Sequence, residues 1–131
     1  LVSREELLAQ SDFISMHLLL NEDTRKSINA DFFKKMKNSA IFVNTARGGL
    51  VDEDALIEAL RTGEIAGAAL DVLTEEGIDK DAPLQKFDNV IITPHAAWYS
   101  EQAFYTLLTS AAQEVVRALH GEPVKNQVNH F

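Results

Sequence analysis

One segment of the chain, residues 40–72, reads AIFVNTARGGLVDEDALIEALRTGEIAGAALDV. It opens with an apolar run at residues 40–45 that has the length and composition of a buried strand. Asp52 then stands where the N-cap of a helix is expected, and Gly63 stands where a helix C-terminus favours glycine. A second apolar run at residues 65–72 predicts another strand. A strand, a helix and a strand in this order indicate parallel pairing within an α/β sheet.

The alternation of strands and helices continues on both sides of this segment. The sequence predicts further strands at residues 12–18 and 89–93, and further helices at residues 3–10, 29–37 and 100–120. The strands are apolar runs without alternating polar residues, which is typical of parallel sheets covered by helices on both faces. The predicted fold is therefore an α/β fold with a doubly wound parallel sheet.

Composition narrows the classes of function. The chain has 131 residues, of which 46% are hydrophobic, and this suits a single domain with one core. Its 12 basic and 20 acidic side chains give a net charge of -8, which argues against nucleic acid or an anionic membrane surface as a partner. The absence of cysteine excludes disulfides, thiolate metal sites and thiol nucleophiles, and no metal site is predicted.

The N-terminal sequence LVSREELLAQ is charged and has no apolar signal-peptide core. No apolar run approaches the roughly 20 residues of a membrane span, so a cytoplasmic setting is the expectation. The first residue is not methionine, and Ser3 with Glu6 forms a capping-box pattern at once. We therefore expect the chain to be part of a longer protein.

Each predicted strand has polar side chains at or just beyond its carboxyl end. They are His17, Thr45 with Arg47, Asp71, and Thr93 with His95. In open α/β sheets, ligands bind beyond the carboxyl ends of the strands, so these residues are predicted to meet at one edge. The set combines a cation, a carboxylate and an imidazole.

This set suits the reduction of a carbonyl group or the reverse oxidation. Arg47 can clamp a substrate carboxylate with two parallel hydrogen bonds. His95 can donate a proton to the carbonyl oxygen or take it back. A carboxylate at Glu75 or Glu76 can orient the imidazole and favour its protonated form. A cofactor must supply the hydride. Taken singly, Arg47 is more typical of a surface ion-pair partner and His95 of a solvated side chain, so position alone identifies no reaction.

Three segments carry a resemblance to a known family. Residues 43–53 read VNTARGGLVDE, followed by AALDV at 68–72 and TPH at 93–95. In order and spacing they resemble the signature of D-isomer-specific 2-hydroxyacid dehydrogenases, and the resemblance covers most of residues 12–103. The sequence HAAWYSE at 95–101 is similar to the branch that contains the C-terminal-binding protein corepressors and their bacterial dehydrogenase relatives, with phosphoglycerate dehydrogenase-like enzymes as cousins.

The resemblance implies three catalytic residues. Arg47 would bind the substrate carboxylate and polarise the carbonyl, His95 would be the acid/base, and Glu76 would pair with the histidine. Trp98 would flank the substrate pocket, with packing against the last helix as an equal alternative. Leu19 and Gly77 stand where the family usually has proline, which predicts looser loops at both places.

The resemblance also implies contacts to NAD, with NADP left open. Asp71 would lie on the nicotinamide side, and Thr45 and Ala46 near the nicotinamide ribose. Leu18 and Thr24 would belong to the loop that covers the adenosine and the pyrophosphate. The full set of predicted cofactor-binding residues is Leu18, Thr24, Thr45, Ala46, Arg47, Asp71, His95 and Ala97. A turn with positive φ is expected at Gly48 and Gly49.

The organisation of the chain departs from a whole dehydrogenase, because the 131 residues contain no G-x-G-x-x-G loop. Residues 1–131 are interpreted as the C-terminal half of a Rossmann-type NAD-binding domain, with residues 100–120 as its long helix and the substrate domain missing. Half of a parallel sheet is expected to be unstable alone or to self-associate.

The activity that the resemblance implies is reversible, NAD-linked reduction of a 2-oxo acid to a D-2-hydroxy acid by a homodimer. Two alternatives stay open. One is an NAD(H)-sensing, corepressor-like interaction protein, and the other is an inactive fragment that only self-associates.

Overall fold

The computed structural model describes residues 1–75, 77 and 82–128. It divides the chain into two compact units, residues 1–97 and residues 98–131. The first unit contains a parallel sheet with its connecting helices, and the second contains a long helix.

A parallel sheet of four strands forms the centre of the described part of the first unit. Its strands are β1 (Phe13–Met16), β2 (Ile41–Asn44), β3 (Gly67–Leu70) and β4 (Val90–Ile92). They pair side by side in chain order, and each falls inside the run of residues predicted for it. The predicted α/β fold with a parallel sheet is confirmed.

The helices of the first unit begin and end close to the predicted residues. They are α1 (Arg4–Gln10), α2 (Ala30–Lys34) and α3 (Glu53–Thr62). The Ser3 hydroxyl accepts a hydrogen bond from the backbone N–H of Glu6 at 3.1 Å, and Gly63 ends α3 with a φ of 72°. Asp52 holds the N-cap position of α3, but its side chain makes no capping hydrogen bond. Its carboxylate lies 3.6 Å from the Lys26 ammonium.

The buried core of the first unit lies on one face of the sheet. Phe33 of α2 and Leu56 of α3 join a single cluster with Phe42 of β2. The rings of Phe33 and Phe42 meet edge to face, with centroids 5.4 Å apart. Because the strands advance across the sheet in one direction, right-handed crossovers place the connecting helices on the same face. The sequence predicted helices on both faces of the sheet. Among the described residues of this unit, helices cover one face. Phe13 and Val43 point to the other face and lie outside the core.

The second unit contains the helix predicted at residues 100–120. It is α4 (Glu101–Leu119), and the Ser100 hydroxyl caps it by accepting the N–H of Ala103 at 3.0 Å. The Glu114 carboxylate accepts the backbone N–H of Lys125 at 2.7 Å, which ties the segment after the helix back to it. Among the residues described, no helix combines the length and the hydrophobicity that a membrane crossing requires.

Candidate active site

The carboxyl edge of the sheet collects the polar residues predicted to meet there. The four strands end at Met16, Asn44, Leu70 and Ile92. The residues that follow directly are His17, Thr45, Asp71 and Thr93. Because all four strands are parallel, these residues share one edge, and Arg47 and His95 follow on the turns beyond it.

The arginine turn, residues 45–47, is held by the last residue of β2. Asn44 is fully buried, and its Nδ2 donates to the carbonyl oxygen of Arg47 at 2.9 Å. Its Oδ1 accepts the backbone N–H of Ala46 at 3.1 Å. The Arg47 side chain is exposed, and its Nη1 donates to the carbonyl oxygen of Ala46 at 2.6 Å. One buried amide thus binds the middle and the last residue of the turn that presents the guanidinium.

The two glycines after Arg47 serve a different purpose from the one expected. Neither adopts positive φ; among the described residues the glycines that do are Gly63, Gly77 and Gly121. A Cβ at Gly48 would lie 1.9 Å from the carbonyl oxygen of Leu73, and one at Gly49 would lie 2.9 Å from Leu20 Cδ2. The expectation of positive φ was wrong, and close approach of neighbouring segments explains the glycines.

The histidine turn, residues 93–97, is held by the side chain of Asp71. One carboxylate oxygen accepts the Thr93 hydroxyl and the Ala96 N–H, the latter at 2.8 Å. The other oxygen accepts the Ala97 N–H at 2.9 Å. The backbone N–H of His95 donates to the Asp71 carbonyl oxygen at 2.9 Å, and His95 adopts a left-handed φ of 52°. A single residue after β3 thus fixes the turn that presents the imidazole.

Asp71 is charged at neutral pH despite its position. It is buried, with 5% of its surface exposed. Burial alone raises the pKa of its carboxyl, but the hydrogen bonds it accepts, led by that of Thr93, and the nearby imidazole outweigh burial. The pKa therefore falls below its ordinary value of 3.8. The carboxylate form is the one that can accept all these hydrogen bonds.

A cleft of about 210 Å³ opens beside the histidine turn. Its walls include Asp71, Leu73, Glu75, Pro94 and His95. Of the two carboxylates considered as partners of the imidazole, Glu75 lines this cleft, and Glu76 lies outside the described residues. The structure therefore gathers Asp71 and His95 around one concave surface.

Leu18 and Thr24 line a different cleft, of about 630 Å³, next to β1. His17 and Ser15 border it as well, with His17 Nε2 and Ser15 Oγ 3.0 Å apart. The Thr24 hydroxyl donates to the carbonyl oxygen of Leu19 at 2.7 Å, so this side chain closes the loop in which it lies. The cofactor contacts of Leu18 and Thr24 stay a prediction.

Trp98 begins the second compact unit. Its ring meets that of Tyr99 edge to face, with centroids 5.6 Å apart. Its predicted place beside the substrate stays a prediction, and so does the alternative of packing against the last helix.

Sequence reasoning gave no role to two residues that hold the turns. Asn44 occurs in a quoted motif but was not singled out, and Thr93 was placed at the edge of the sheet without a partner or a role. Asn44 gave one usable signal, because a polar residue at the end of an apolar strand must find hydrogen-bond partners when buried. For Thr93, its partner Asp71 is 22 residues away in sequence, so local pattern could not reveal the contact.

Comparison with known proteins bears on the whole first unit. A profile of the family described as "D-isomer specific 2-hydroxyacid dehydrogenase, NAD binding domain" matches residues 1–97. The match ends where the first compact unit ends.

Individual relatives match nearly the whole chain. Glyoxylate/hydroxypyruvate reductase B of Cronobacter sakazakii is 43% identical over 125 residues, which is 95% of this chain and 39% of that protein. A crystal structure of D-lactate dehydrogenase with NAD+ from Lactobacillus jensenii has a TM-score of 0.89 at 34% identity, covering 98% of this chain and 43% of that one. A D-isomer specific 2-hydroxyacid dehydrogenase from Xanthobacter autotrophicus, in complex with NADPH and MES, has a TM-score of 0.80 at 40% identity, covering 96% and 51%.

The chain spans less than half the length of the curated relatives it matches. The resemblance to the corepressor-containing branch stays a prediction. With the profile covering the parallel sheet and both turns, the family itself is shown: the chain belongs to the NAD-binding domains of the D-isomer specific 2-hydroxyacid dehydrogenases.

Proposed function

We propose that the protein containing this chain transfers hydride between NAD(H) and a small 2-oxo acid or its D-2-hydroxy acid. One observation carries the proposal: two turns at the carboxyl edge, each fixed by a buried polar side chain, present Arg47 and His95. Ligands of such sheets bind at this edge. A cation and an imidazole carried on fixed turns at this edge match the needs of carbonyl reduction.

The residues present fit a nicotinamide at this edge. A carboxylate offers about four lone-pair positions, and the donors of the histidine turn use three of those of Asp71. The remaining position suits an amide N–H of the nicotinamide. Thr45, Ala46 and Ala97 lie on the two turns and would contribute backbone contacts. Leu18 and Thr24 border the separate cleft beside β1 and would contact the adenosine side.

Each residue has a defined part in the reaction. Bound NAD(H) supplies or accepts the hydride. Arg47 holds the substrate carboxylate through paired hydrogen bonds and so fixes the carbonyl carbon in place. His95 delivers a proton to the carbonyl oxygen during reduction and removes it during oxidation. Glu76 pairs with the imidazole in this scheme.

The names of the relatives suggest the size of the substrate. One is a glyoxylate/hydroxypyruvate reductase and another is a D-lactate dehydrogenase, so the named substrates are acids of two or three carbons. We propose the same class for this protein. NAD is the proposed cofactor, with NADPH as the comparison because one similar structure contains it. A homodimer and a cytoplasmic setting stay predictions.

The test is NADH oxidation by the full natural protein with glyoxylate, hydroxypyruvate and pyruvate, before and after His95→Ala. Loss of a positioned acid/base should lower kcat by about 100- to 10,000-fold. His120→Ala is the matched control, because His120 lies at the end of α4 in the second unit, where its Nδ1 is 4.0 Å from Glu122. Turnover that survives His95→Ala at the rate of the control would contradict the role of His95. Absence of turnover in the parent protein with every acid would refute the activity.

A further inference from the structure

Asn44 is an unusual residue for its position. It is the last residue of a central strand, its neighbours in β2 are apolar, and it is 0% exposed. A buried amide costs free energy unless its donors and acceptors are paired. Both functional atoms of Asn44 are paired, and both pair with the backbone of the arginine turn.

These two contacts determine where the turn goes. The acceptor Oδ1 holds the N–H two residues ahead, and the donor Nδ2 holds the carbonyl three residues ahead. An aspartate would keep the first contact and lose the second, because it has no N–H to give the Arg47 carbonyl. An apolar residue would lose both. Asparagine therefore matches both contacts of this turn.

The backbone of Asn44 connects the arginine turn to the neighbouring strand. Its carbonyl oxygen accepts the N–H of Asp71 at 2.9 Å, beyond the last ladder pair of β2 and β3. Asp71 in turn holds the histidine turn through its side chain. The two turns are thus fixed to adjacent backbone positions at one edge of the sheet.

We propose that Asn44 is a positioning residue for Arg47, setting the place of the guanidinium for the substrate carboxylate. The expected loss of kcat/KM rests on the proposed function, whereas the expected change in hydrogen exchange does not. Asn44 acts through the backbone of the turn and does not touch the substrate. Its removal should weaken the use of the 2-oxo acid more than the binding of NADH, because only part of the proposed cofactor contacts lies on the arginine turn.

The variant is Asn44→Leu in the full natural protein, because leucine has nearly the shape of asparagine and makes no hydrogen bonds. Asn89→Leu is the control for the loss of an amide-to-backbone hydrogen bond, at an exposed position. The Asn89 amide also donates to a backbone carbonyl, that of Ala66 at 2.8 Å, but at the opposite edge of the sheet before β4. If the leucine variant at position 44 does not fold, Asn44→Ser replaces it, since a shorter hydroxyl cannot span both contacts.

The first measurement needs no turnover. Hydrogen exchange is followed in peptides covering residues 45–50. Loss of the hydrogen bond to Asn44 should speed exchange at the Ala46 N–H by about 10-fold, while the Asn89 variant leaves this segment unchanged. Unchanged exchange in the Asn44 variant would overturn the proposal.

The second measurement separates positioning from a general effect on the fold. Misplacement of the guanidinium should lower kcat/KM for the 2-oxo acid by about 10- to 100-fold, mostly through KM. The Kd of NADH should rise by less than kcat/KM falls, about two- to threefold at most, because most of the proposed cofactor contacts lie outside the arginine turn. In an Arg47→Ala background, Asn44→Leu should add almost nothing, because the two residues act as one unit. Full additivity would show that Asn44 does not act through Arg47.

The two failures are distinguishable. If the parent protein reduces no 2-oxo acid, the proposed function fails. The positioning role is then decided by exchange and by calorimetric binding of oxamate, an unreactive carboxylate analogue. Weaker oxamate binding in the Asn44 variant supports the proposal, and equal binding with unchanged exchange overturns it. If the parent turns over and Asn44→Leu matches Asn89→Leu, the positioning role fails while the activity stands.

Discussion

The arginine turn and the histidine turn are each fixed by a buried polar side chain, but the two side chains find their partners at different separations in sequence. In the arginine turn, a neutral amide binds backbone groups two and three residues ahead of itself. In the histidine turn, a charged carboxylate binds groups 22, 25 and 26 residues away, on the turn that follows the next strand. The first turn is fixed by its own strand, and the second is fixed only when β3 and β4 have paired.

This difference has energetic consequences. Hydrogen bonds to an ionised group are shorter and stronger than those between neutral groups, so the histidine turn gains more from its partner. The histidine turn also depends on more conditions. It needs the pairing of β3 with β4, the ionised state of Asp71 and the left-handed conformation of His95. The arginine turn depends instead on the space left by Gly48.

The largest effect is expected for Gly48→Ala, which breaks the arginine turn. A Cβ there would lie 1.9 Å from the carbonyl oxygen of Leu73, so one of two backbone segments must move. We expect a loss of about 3 kcal/mol in the free energy of unfolding, measured by urea denaturation of the full natural protein. Gly63→Ala is the comparison: φ is 72° with nothing within 4 Å, and backbone strain alone should cost about 1 kcal/mol. Equal losses in the two variants would mean that the close approach is not real.

The next effect is expected for Asp71→Asn, which weakens the histidine turn. The variant keeps the shape, but it replaces one acceptor oxygen with a donor that faces another N–H. We expect local opening of residues 93–97 to become easier by about 2 kcal/mol, read as lost hydrogen-exchange protection at Ala96 and Ala97.

Asp31→Asn is the control for that change. Asp31 also has a lowered pKa, chiefly through a hydrogen bond from Lys35, but it lies on the exposed surface of α2. A surface pair of this kind contributes little, so protection should stay as in the parent protein. Equal losses of hydrogen-exchange protection in the two variants would show that the Asp71 carboxylate does not specifically stabilise the histidine turn.

The smallest effect concerns acid and separates the two turns by charge. The pKa of Asp71 is lowered in the folded protein, so its contribution is complete above 3.8 and is lost as the pH falls through the folded value. Protection factors of residues 93–97 should therefore fall on acidification in this range, and those of residues 45–47 should not follow. The acid-dependent loss should disappear in Asp71→Asn. A parallel loss in both turns would point to general acid unfolding instead.

Local features of the fold could be predicted from the sequence, and long-range features could not. The strands and the caps at Ser3 and Gly63 depend on neighbouring residues, and each was found at or near its predicted place. The partners of Asp71 depend on how two strands align, which no local pattern encodes. The same holds for Gly48, whose neighbour at Leu73 lies 25 positions further along the chain.

The coverage of the sheet shows a second kind of limit. Apolar strands such as β2 indicate burial on both faces, but they do not indicate which segment provides the cover. Strand order decides this, and in the first unit it runs in one direction, so the connecting helices gather on one face. For the site, the edge of the sheet and the placing of Arg47 and His95 beyond it could be predicted, while nothing in the motif distinguished the role of Asn44 from that of its neighbours.

The left-handed backbone conformation of His95 favours one residue for stability and another for catalysis. Glycine adopts this conformation without the steric cost of a Cβ, which is about 1 kcal/mol for most residues and smaller for asparagine, aspartate and histidine. A library selected only for resistance to heat should therefore tolerate glycine at position 95, whereas a library selected for turnover should keep histidine. If the two selections retain different residues at position 95, their comparison shows that histidine is kept for turnover, without an assay of any single variant.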